Sequence, residues 1–244
     1  MTRILVISDI HANLTALQAV LVDAGKIDAA WCLGDLVGYG PDPNECITLV
    51  RELPNLVCLK GNHDLATIGG LGLETFNGDA HRSILWQRST LSEENKEFLK
   101  SLPNKIKVDE NVTLTHGSPR DPTWEYIMDT EIARQNRSYV ETPLCFFGHT
   151  HYPVMYSWKS GNDYPVHEIP TINKKQTLPE IAFLNPGSVG QPRDRDARSA
   201  YAIYDPLKRT WLAKRVTYDI KQVQERILNA GLPIYHADRL ENGW

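Results

Sequence analysis

Five times between residues 1 and 151, an apolar strand-like run ends in a short block of Asp, His, Asn and Gly. Arg3–Ile7, rich in β-branched residues, leads into Asp9-Ile10-His11, and Ala29–Leu33 leads into Gly34-Asp35. Leu56–Leu59 leads into Gly61-Asn62-His63-Asp64, Val112–Thr115 into His116-Gly117, and Leu144–Phe147 into Gly148-His149-Thr150-His151. Ligands of open α/β sheets bind in the crevice beyond the carboxyl ends of the strands. Such a chain can therefore deliver five polar segments to one place.

The intervening sequence supports the α/β reading. Leu14, Leu17, Val20 and Leu21 repeat at helical spacing. Asn13 stands where an N-cap belongs and Gly25 where a C′ glycine would stop the helix. Pro43–Arg51 reads as a second helix. The strand–helix–strand rhythm implies βαβ units and a partly parallel sheet. Residues 65–103 differ: after Gly69, Gly70 and Gly72, two helical stretches are expected at Asp79–Ser89 and Glu93–Leu102, with Ser92 as an N-cap. These read as a helical insertion over the sheet. Strands at Lys105–Asp109, Val154–Trp158, Glu180–Leu184, Ala200–Asp205 and Thr210–Val216 are expected in the second half. The later ones lack long intervening helices and look antiparallel. Residues 218–230 read as a closing helix. No repeat or linker divides residues 1–244, so one domain is the simpler reading.

Composition narrows the class. With 41% apolar and 23% charged residues, the chain matches an ordinary globular protein. No run reaches the roughly 18–20 apolar residues of a membrane span, and no secretory leader is evident, so no membrane association is expected. A net charge of −4 disfavours long nucleic acid as the main substrate. The four cysteines show no CxxC spacing, which fits a reduced, cytoplasmic protein.

The blocks hold donors that suit metal ions: carboxylates, an amide oxygen and imidazoles make mixed N/O sites. Asp9 and His11, like His149 and His151, are two residues apart, so in extended chain they point the same way. Two ions sharing a bridging carboxylate would clamp a phosphoryl centre. Taken singly, each block has an ordinary explanation as a cap, a turn or a surface histidine. Their coincidence in order is what points to a metal centre. Only His81, His167 and His236 fall outside the blocks, and they read as structural.

The set Asp9-x-His11, Gly34-Asp35, Gly61-Asn62-His63-Asp64, His116 and Gly148-His149-x-His151 resembles the calcineurin-like metallophosphoesterases, block for block. Asn185-Pro-Gly-Ser-Val-Gly190 resembles bacterial and archaeal members, in the subgroup similar to diadenosine tetraphosphatases. The resemblance implies an α/β fold of two mixed β-sheets in a sandwich flanked by helices. It implies a dimetal phosphoesterase acting on small phosphate monoesters or diesters, with a hydroxide held between the cations attacking phosphorus. Asp9, His11 and His151 would hold one ion, Asn62, His116 and His149 the other, and Asp35 would bridge. The ions would be two divalent metals, manganese first, with iron, zinc or nickel as alternatives. His63 would be the catalytic acid or a charge stabiliser.

The chain departs from family patterns at three places. Ala12 stands where many members have Gly, and Asp64 where eukaryotic protein phosphatases have Glu. Gly38 and Tyr39 stand where those phosphatases carry Asp and Arg. Substrate contacts are expected from Arg120, Arg193 or Arg195, since guanidinium suits phosphate. Trp124 and Tyr126 could stack on a base or serve as core or rim aromatics. The alternative class is a non-catalytic scaffold of the same fold that binds a protein partner, as a retromer subunit does. Such scaffolds typically lack ligands or the catalytic histidine. The apolar residues of Tyr218–Trp244 could cover the sheet or join a homo-oligomer.

Overall fold

A computed structural model describes residues 2–244. Twelve strands form two mixed six-stranded sheets. The first sheet has the order β3 (Val57–Cys58), β2 (Ala29–Cys32), β1 (Ile4–Ile7), β11 (Ser199–Asp205), β12 (Thr210–Val216), β9 (Lys175–Thr177). The second has the order β4 (Lys105–Lys107), β5 (Val112–Thr115), β6 (Leu144–Phe146), β10 (Ile181–Pro186), β7 (Pro153–Trp158), β8 (Val166–Glu168).

The sheets face one another across an apolar layer. Val6, Trp31, Leu33, Ala202 and Tyr204 meet Val112, Leu114, Phe146, Ala182 and Leu184 in one apolar cluster. The outer face of the first sheet, with Leu5, Ile7 and Cys32, is covered by Leu17 and Val20 of α1 (Leu14–Ala24) and Ile47 and Val50 of α2 (Pro43–Arg51). Because both faces of the central strands are covered, β1 is apolar throughout and does not alternate. The outer face of the second sheet packs Phe147, Tyr156 and Phe183 against Ile127 and Ala133.

The local signals act as expected. Asn13 accepts a hydrogen bond from the Ala16 N–H, Ser92 accepts one from Asn95 N–H, and Gly25 closes α1 at φ +66°. Helices α4 (Gly78–Thr90) and α5 (Glu93–Ser101) lie within one residue of the expected stretches. Between β3 and α4 the chain also forms α3 (Asn62–Thr67), where the sequence suggested a turn. Four further elements carried no sequence signal. Strands β8 and β9 are three-residue pieces at sheet edges. Helices α6 (Thr130–Asn136) and α8 (Ile234–Asn242) are short, and α8 follows α7 (Ile220–Asn229).

One expectation is corrected. The later strands are not uniformly antiparallel: β10 is antiparallel to β7 but parallel to β6. The chain between β6 and β10 runs through β7, β8 and β9, long enough to return to its starting edge. The result is two parallel trios, β1–β2–β3 and β5–β6–β10. Their carboxyl ends carry the polar blocks.

No helix among the described residues is long and apolar enough to cross a membrane.

Candidate metal centre

Beyond those strand ends the blocks converge. Asp9 and His11 follow β1, Asp35 follows β2, Asn62 and His63 open α3 behind β3, His116 follows β5, and His149 and His151 follow β6. All eight are buried. Three sets of donors cluster tightly enough to hold a cation: Asp9, His11 and His151; Asp35, His116 and His149; and His11, Asp35 and His63. Asn62 joins the second set, its Oδ1 lying 3.1 Å from His116 Nε2. Asp35 therefore stands between the other groups. Its Oδ2 is 3.4 Å from His116 Nε2 and 3.7 Å from His11 Nε2, without a well-formed hydrogen bond.

The backbone fixes which nitrogen of each imidazole faces the cluster. A carbonyl can only accept, so the ring nitrogen against it must donate. His11 Nδ1 donates to Val37 O at 3.0 Å, His151 Nδ1 to Gln191 O at 2.5 Å, and His116 Nδ1 to Leu33 O at 2.9 Å. His149 donates instead through Nε2, to Trp124 O at 3.3 Å, which leaves its Nδ1 for the cluster. Outer hydrogen bonds of this kind set tautomer and ring orientation in metal-binding histidines. The consequence is sharpest at His11 and His151. Their Nε2 atoms lie 3.1 Å apart, and burial holds both rings neutral, well below the usual imidazole range. Two lone pairs thus face each other where a shared cation would relieve the contact.

The charges tell the same story. Burial pushes the Asp9 carboxyl up to about 7, with the Asp35 charge adding to the shift against the pull of His116. At His116, burial favours the neutral ring, but the Asp35 and Asp9 carboxylates outweigh it and raise the imidazole to about 9. Asp35 in turn is held well below the usual carboxylate range, since the neighbouring imidazoles overcome its burial. A proton on His116 therefore supplies the positive charge that this donor set lacks. These residues and their electrostatics fit a cation site.

Other segments brace the cluster. The Asp9 carboxylate accepts from the His149 N–H at 3.1 Å, so the first and last blocks touch. Asp64 holds the loops, accepting from Gly61 N–H at 2.9 Å and Val37 N–H at 3.0 Å. Burial and the Asp35 charge push its carboxyl up to about 7. The Asn185 amide donates to Gly148 O and Thr150 Oγ1, and Ser188 Oγ donates to Asp9 O. Gly61 must be glycine: a Cβ there would lie 2.0 Å from Asp35 Oδ1. At Gly38, a Cβ would lie 2.6 Å from His63 Nδ1.

His63 is packed among rings, 4.4 Å from Tyr39, 5.0 Å from His11 and 5.1 Å from Phe76 by ring centroids. Its Nδ1 is buried without a hydrogen bond. Burial, together with the positive charge of Arg193 and His116, lowers its ring to about 4 against the pull of Asp35.

The three arginines part company. Arg193 reaches the site, donating to Tyr39 Oη at 3.3 Å and Gln191 Oε1 at 3.0 Å. Arg120 commits its guanidinium to Glu125 and Gln135, and Arg195 stacks over Trp244. Trp124 packs on Phe76 at 5.1 Å, and Tyr126 stacks on His149 at 3.9 Å.

Sequence reasoning missed part of this lining. Tyr39 lies between two glycines at φ +60°, a pattern that marks a tight turn presenting a side chain. His236 and Arg239 come from α8, beyond the last block, and nothing local announced them. The His236 ring packs on Tyr39 at 4.9 Å.

Comparison with known proteins agrees with this geometry. The model of the calcineurin-like phosphoesterase superfamily domain matches residues 2–209. The chain belongs to that superfamily. A metallophosphoesterase of Sphaerobacter thermophilus superposes over 100% of this chain and 99% of its own with a TM-score of 0.91 and 43% identity. A protein of Methanocaldococcus jannaschii, itself uncharacterised, is 40% identical over 98% of this chain and 97% of its own. A symmetrical bis(5'-nucleosyl)-tetraphosphatase of Erwinia tasmaniensis is 42% identical, but over only 27% of each chain. In this member of the superfamily, the clustered carboxylates and imidazoles fit divalent ions.

Proposed function

We propose that this protein is a dimetal-dependent phosphoesterase hydrolysing small phosphate monoesters or diesters. The observation that carries the reading is the pair of neutral His11 and His151 Nε2 atoms facing each other at 3.1 Å beside the Asp9 and Asp35 carboxylates. Asp9, His11 and His151 would hold one ion and Asn62, His116 and His149 the other, with Asp35 between them. The mixed nitrogen and oxygen donors suit manganese, with iron, zinc and nickel as competitors. When bound, two such ions supply Lewis acidity and a water of lowered pKa.

The chain's own residues do the rest. Asp35 and Asp9 balance the cationic charge in a buried place, where electrostatic interactions are strong. His63, on the substrate side, would protonate the leaving oxygen. An incoming phosphate raises its affinity for that proton, because a nearby anion favours the charged imidazole. Arg193 would draw on the phosphoryl oxygens through its forked guanidinium. Phe76, brought by the segment between α3 and α4, and Trp124 form a wall beside His63 that suits an organic leaving group. The four cysteines are all free and buried, in keeping with a reducing, cytoplasmic setting.

The test is hydrolysis of p-nitrophenyl phosphate and bis-p-nitrophenyl phosphate by manganese-loaded protein, with and without chelator. Turnover that vanishes with chelator, and that His63→Gln reduces by about 10²-fold or more, is expected. Turnover indifferent to both would overturn the reading.

A further inference from the structure

The loop between β10 and β11, residues 187–198, is anchored at both ends by different means. At its near end Ser188 Oγ donates to Asp9 O at 2.8 Å, and Gln191 O accepts from His151 Nδ1 at 2.5 Å. Arg193 follows, turned toward Tyr39 Oη and Gln191 Oε1. At its far end the loop closes on Arg215, which comes from β12. Among the described residues, every polar partner of the Arg215 side chain lies between 194 and 198. The guanidinium pairs with the Asp194 carboxylate, donates to Arg198 O at 2.8 Å and to Asp196 O at 3.4 Å, and places Nε 3.8 Å from Asp196 Oδ2. The Arg215 side chain is only 2% exposed, so its charge must be met inside the protein. Asp196 is shared, since Arg198 binds it at 2.6 Å, which leaves Asp194 as the main counter-charge. Asp194 depends on Arg215 in return. Its Oδ1 is buried without a hydrogen bond, and burial pushes its carboxyl up against the pull of Arg215. Between the anchors, Arg195 holds left-handed backbone at φ +64° while its N–H donates to Gly243 O at 2.8 Å. Backbone of that kind persists only where its surroundings impose it.

We propose that Arg215 is a positioning residue: by clamping Asp194 and the carbonyls of Asp196 and Arg198, it aims Arg193 at the place of the substrate's phosphoryl group. This rests on the phosphoesterase reading, in which Arg193 draws on the phosphoryl oxygens, and it adds a residue that none of the polar blocks contains. An arginine side chain is long and flexible, so its aim depends on the backbone from which it springs. That backbone is held on one side by Ser188 and Gln191, which belong to the bracing of the cluster, and on the other by Arg215. A buried ion pair contributes little net stability compared with apolar residues of the same volume. Its use here is geometric: one planar fork fixes two carboxylates and two carbonyls of the same loop. Arg193 would grip the phosphoryl group in the ground state as well as in the transition state, so a loss of aim falls on KM more than on kcat.

The experiment is a double-mutant cycle on the manganese-loaded protein, read as KM and kcat for p-nitrophenyl phosphate and as competitive inhibition by orthophosphate. Arg193→Gln should raise KM by about tenfold, the loss expected of hydrogen bonds to a charged group. Arg215→Gln should raise KM by about fivefold and Arg215→Lys by less, with kcat within about twofold, since lysine keeps the charge and loses the fork. The orthophosphate inhibition constant should rise in parallel. In the Arg193→Gln background neither change at 215 should move KM by more than about 1.5-fold, because its effect passes through the missing guanidinium. Thermal melts establish that each variant folds. Asp194→Asn is the second route: its side chain is 23% exposed, it removes the carboxylate anchor while keeping Arg215, and it should act on KM as Arg215→Gln does. An unchanged KM in the folded variants overturns the positioning role while leaving the phosphoesterase standing. So does a rise of equal factor with and without Arg193, which would make Arg215 a purely structural residue. Absence of turnover in the wild-type protein with manganese bound overturns the phosphoesterase reading and the positioning role with it.

Discussion

The interior between the two sheets and the rim at their carboxyl ends are built under opposite rules. In the interior, Val6, Trp31, Leu114 and Phe146 sit on regular strands that their β-branched and aromatic neighbours favour. At the rim, regular geometry is abandoned. Among the described residues eleven non-glycines have positive φ, and seven of them, Asp9, His11, Ala12, Asp35, Tyr39, His149 and His151, belong to the site. Each such residue costs on the order of 1–3 kcal/mol and persists only where its surroundings impose it. Here they do, through Asp64, Asn185, Ser188 and the carbonyls that orient the imidazoles. The difference teaches that the sheets supply stability and the rim consumes it to hold donors that would otherwise repel.

That contrast can be broken by substitution. The largest effect is expected at Asp35. Asp35→Asn should lower kcat/KM by about 10³-fold or more, since it removes the central buried charge, while the melting temperature stays near or above that of the parent. An active Asp35→Asn protein would end the idea that the rim trades stability for chemistry. Phe146→Ala should do the reverse, destabilising by about 3–5 kcal/mol, with kcat/KM little changed wherever the variant is folded. Urea titration and steady-state kinetics on the same samples would show whether the two quantities separate.

Gly61→Ala lies between these extremes. A Cβ pressed against Asp35 Oδ1 must shift that carboxylate, and a displacement near 1 Å can cost about 10²-fold in rate. Circular dichroism should report intact sheets. Saturating manganese should stabilise the folded chain by about 2.7 kcal/mol at a hundredfold excess over its Kd, and chelator should reverse this in a thermal melt. The smallest effect is expected at Ala12, at φ +50°. Ala12→Gly should relieve up to about 1 kcal/mol of strain, a gain that glycine gives only where left-handed backbone is already imposed. A loss there would show that the buried methyl group matters more than the backbone.

The same division governs what was legible in the sequence. Interior strands announce themselves through apolar runs, and Val112–Thr115 and Thr210–Val216 coincide with their observed bounds. The residues that the blocks supply also meet as the pattern implied, because strand ends in parallel trios have little choice of where to point. What escaped was tertiary. Strands β8 and β9 exist by edge pairing, not by pattern. The contribution of α8 to the site, through His236 and Arg239, depends on packing that no local periodicity encodes. Arg120 and Arg193 looked alike as candidates until neighbouring carboxylates separated them.

Strand β1 pairs with β2 on one side and with β11 on the other, so Ile4 lies opposite Tyr204. The rim therefore cannot close early in synthesis. Asp9 and His11 emerge first, but the strand that flanks them and the Ser188 that secures them come some 180 or more residues later. Contacts of such separation fold slowly, because loop closure precedes any reward. A ribosome-bound chain stopped before β11 would hold Asp9 and His11 from the β2 side alone, without the flanking strand on the other. We therefore expect any cation to be taken up late, after translation of the C-terminal quarter: a truncated nascent chain should retain none through gel filtration.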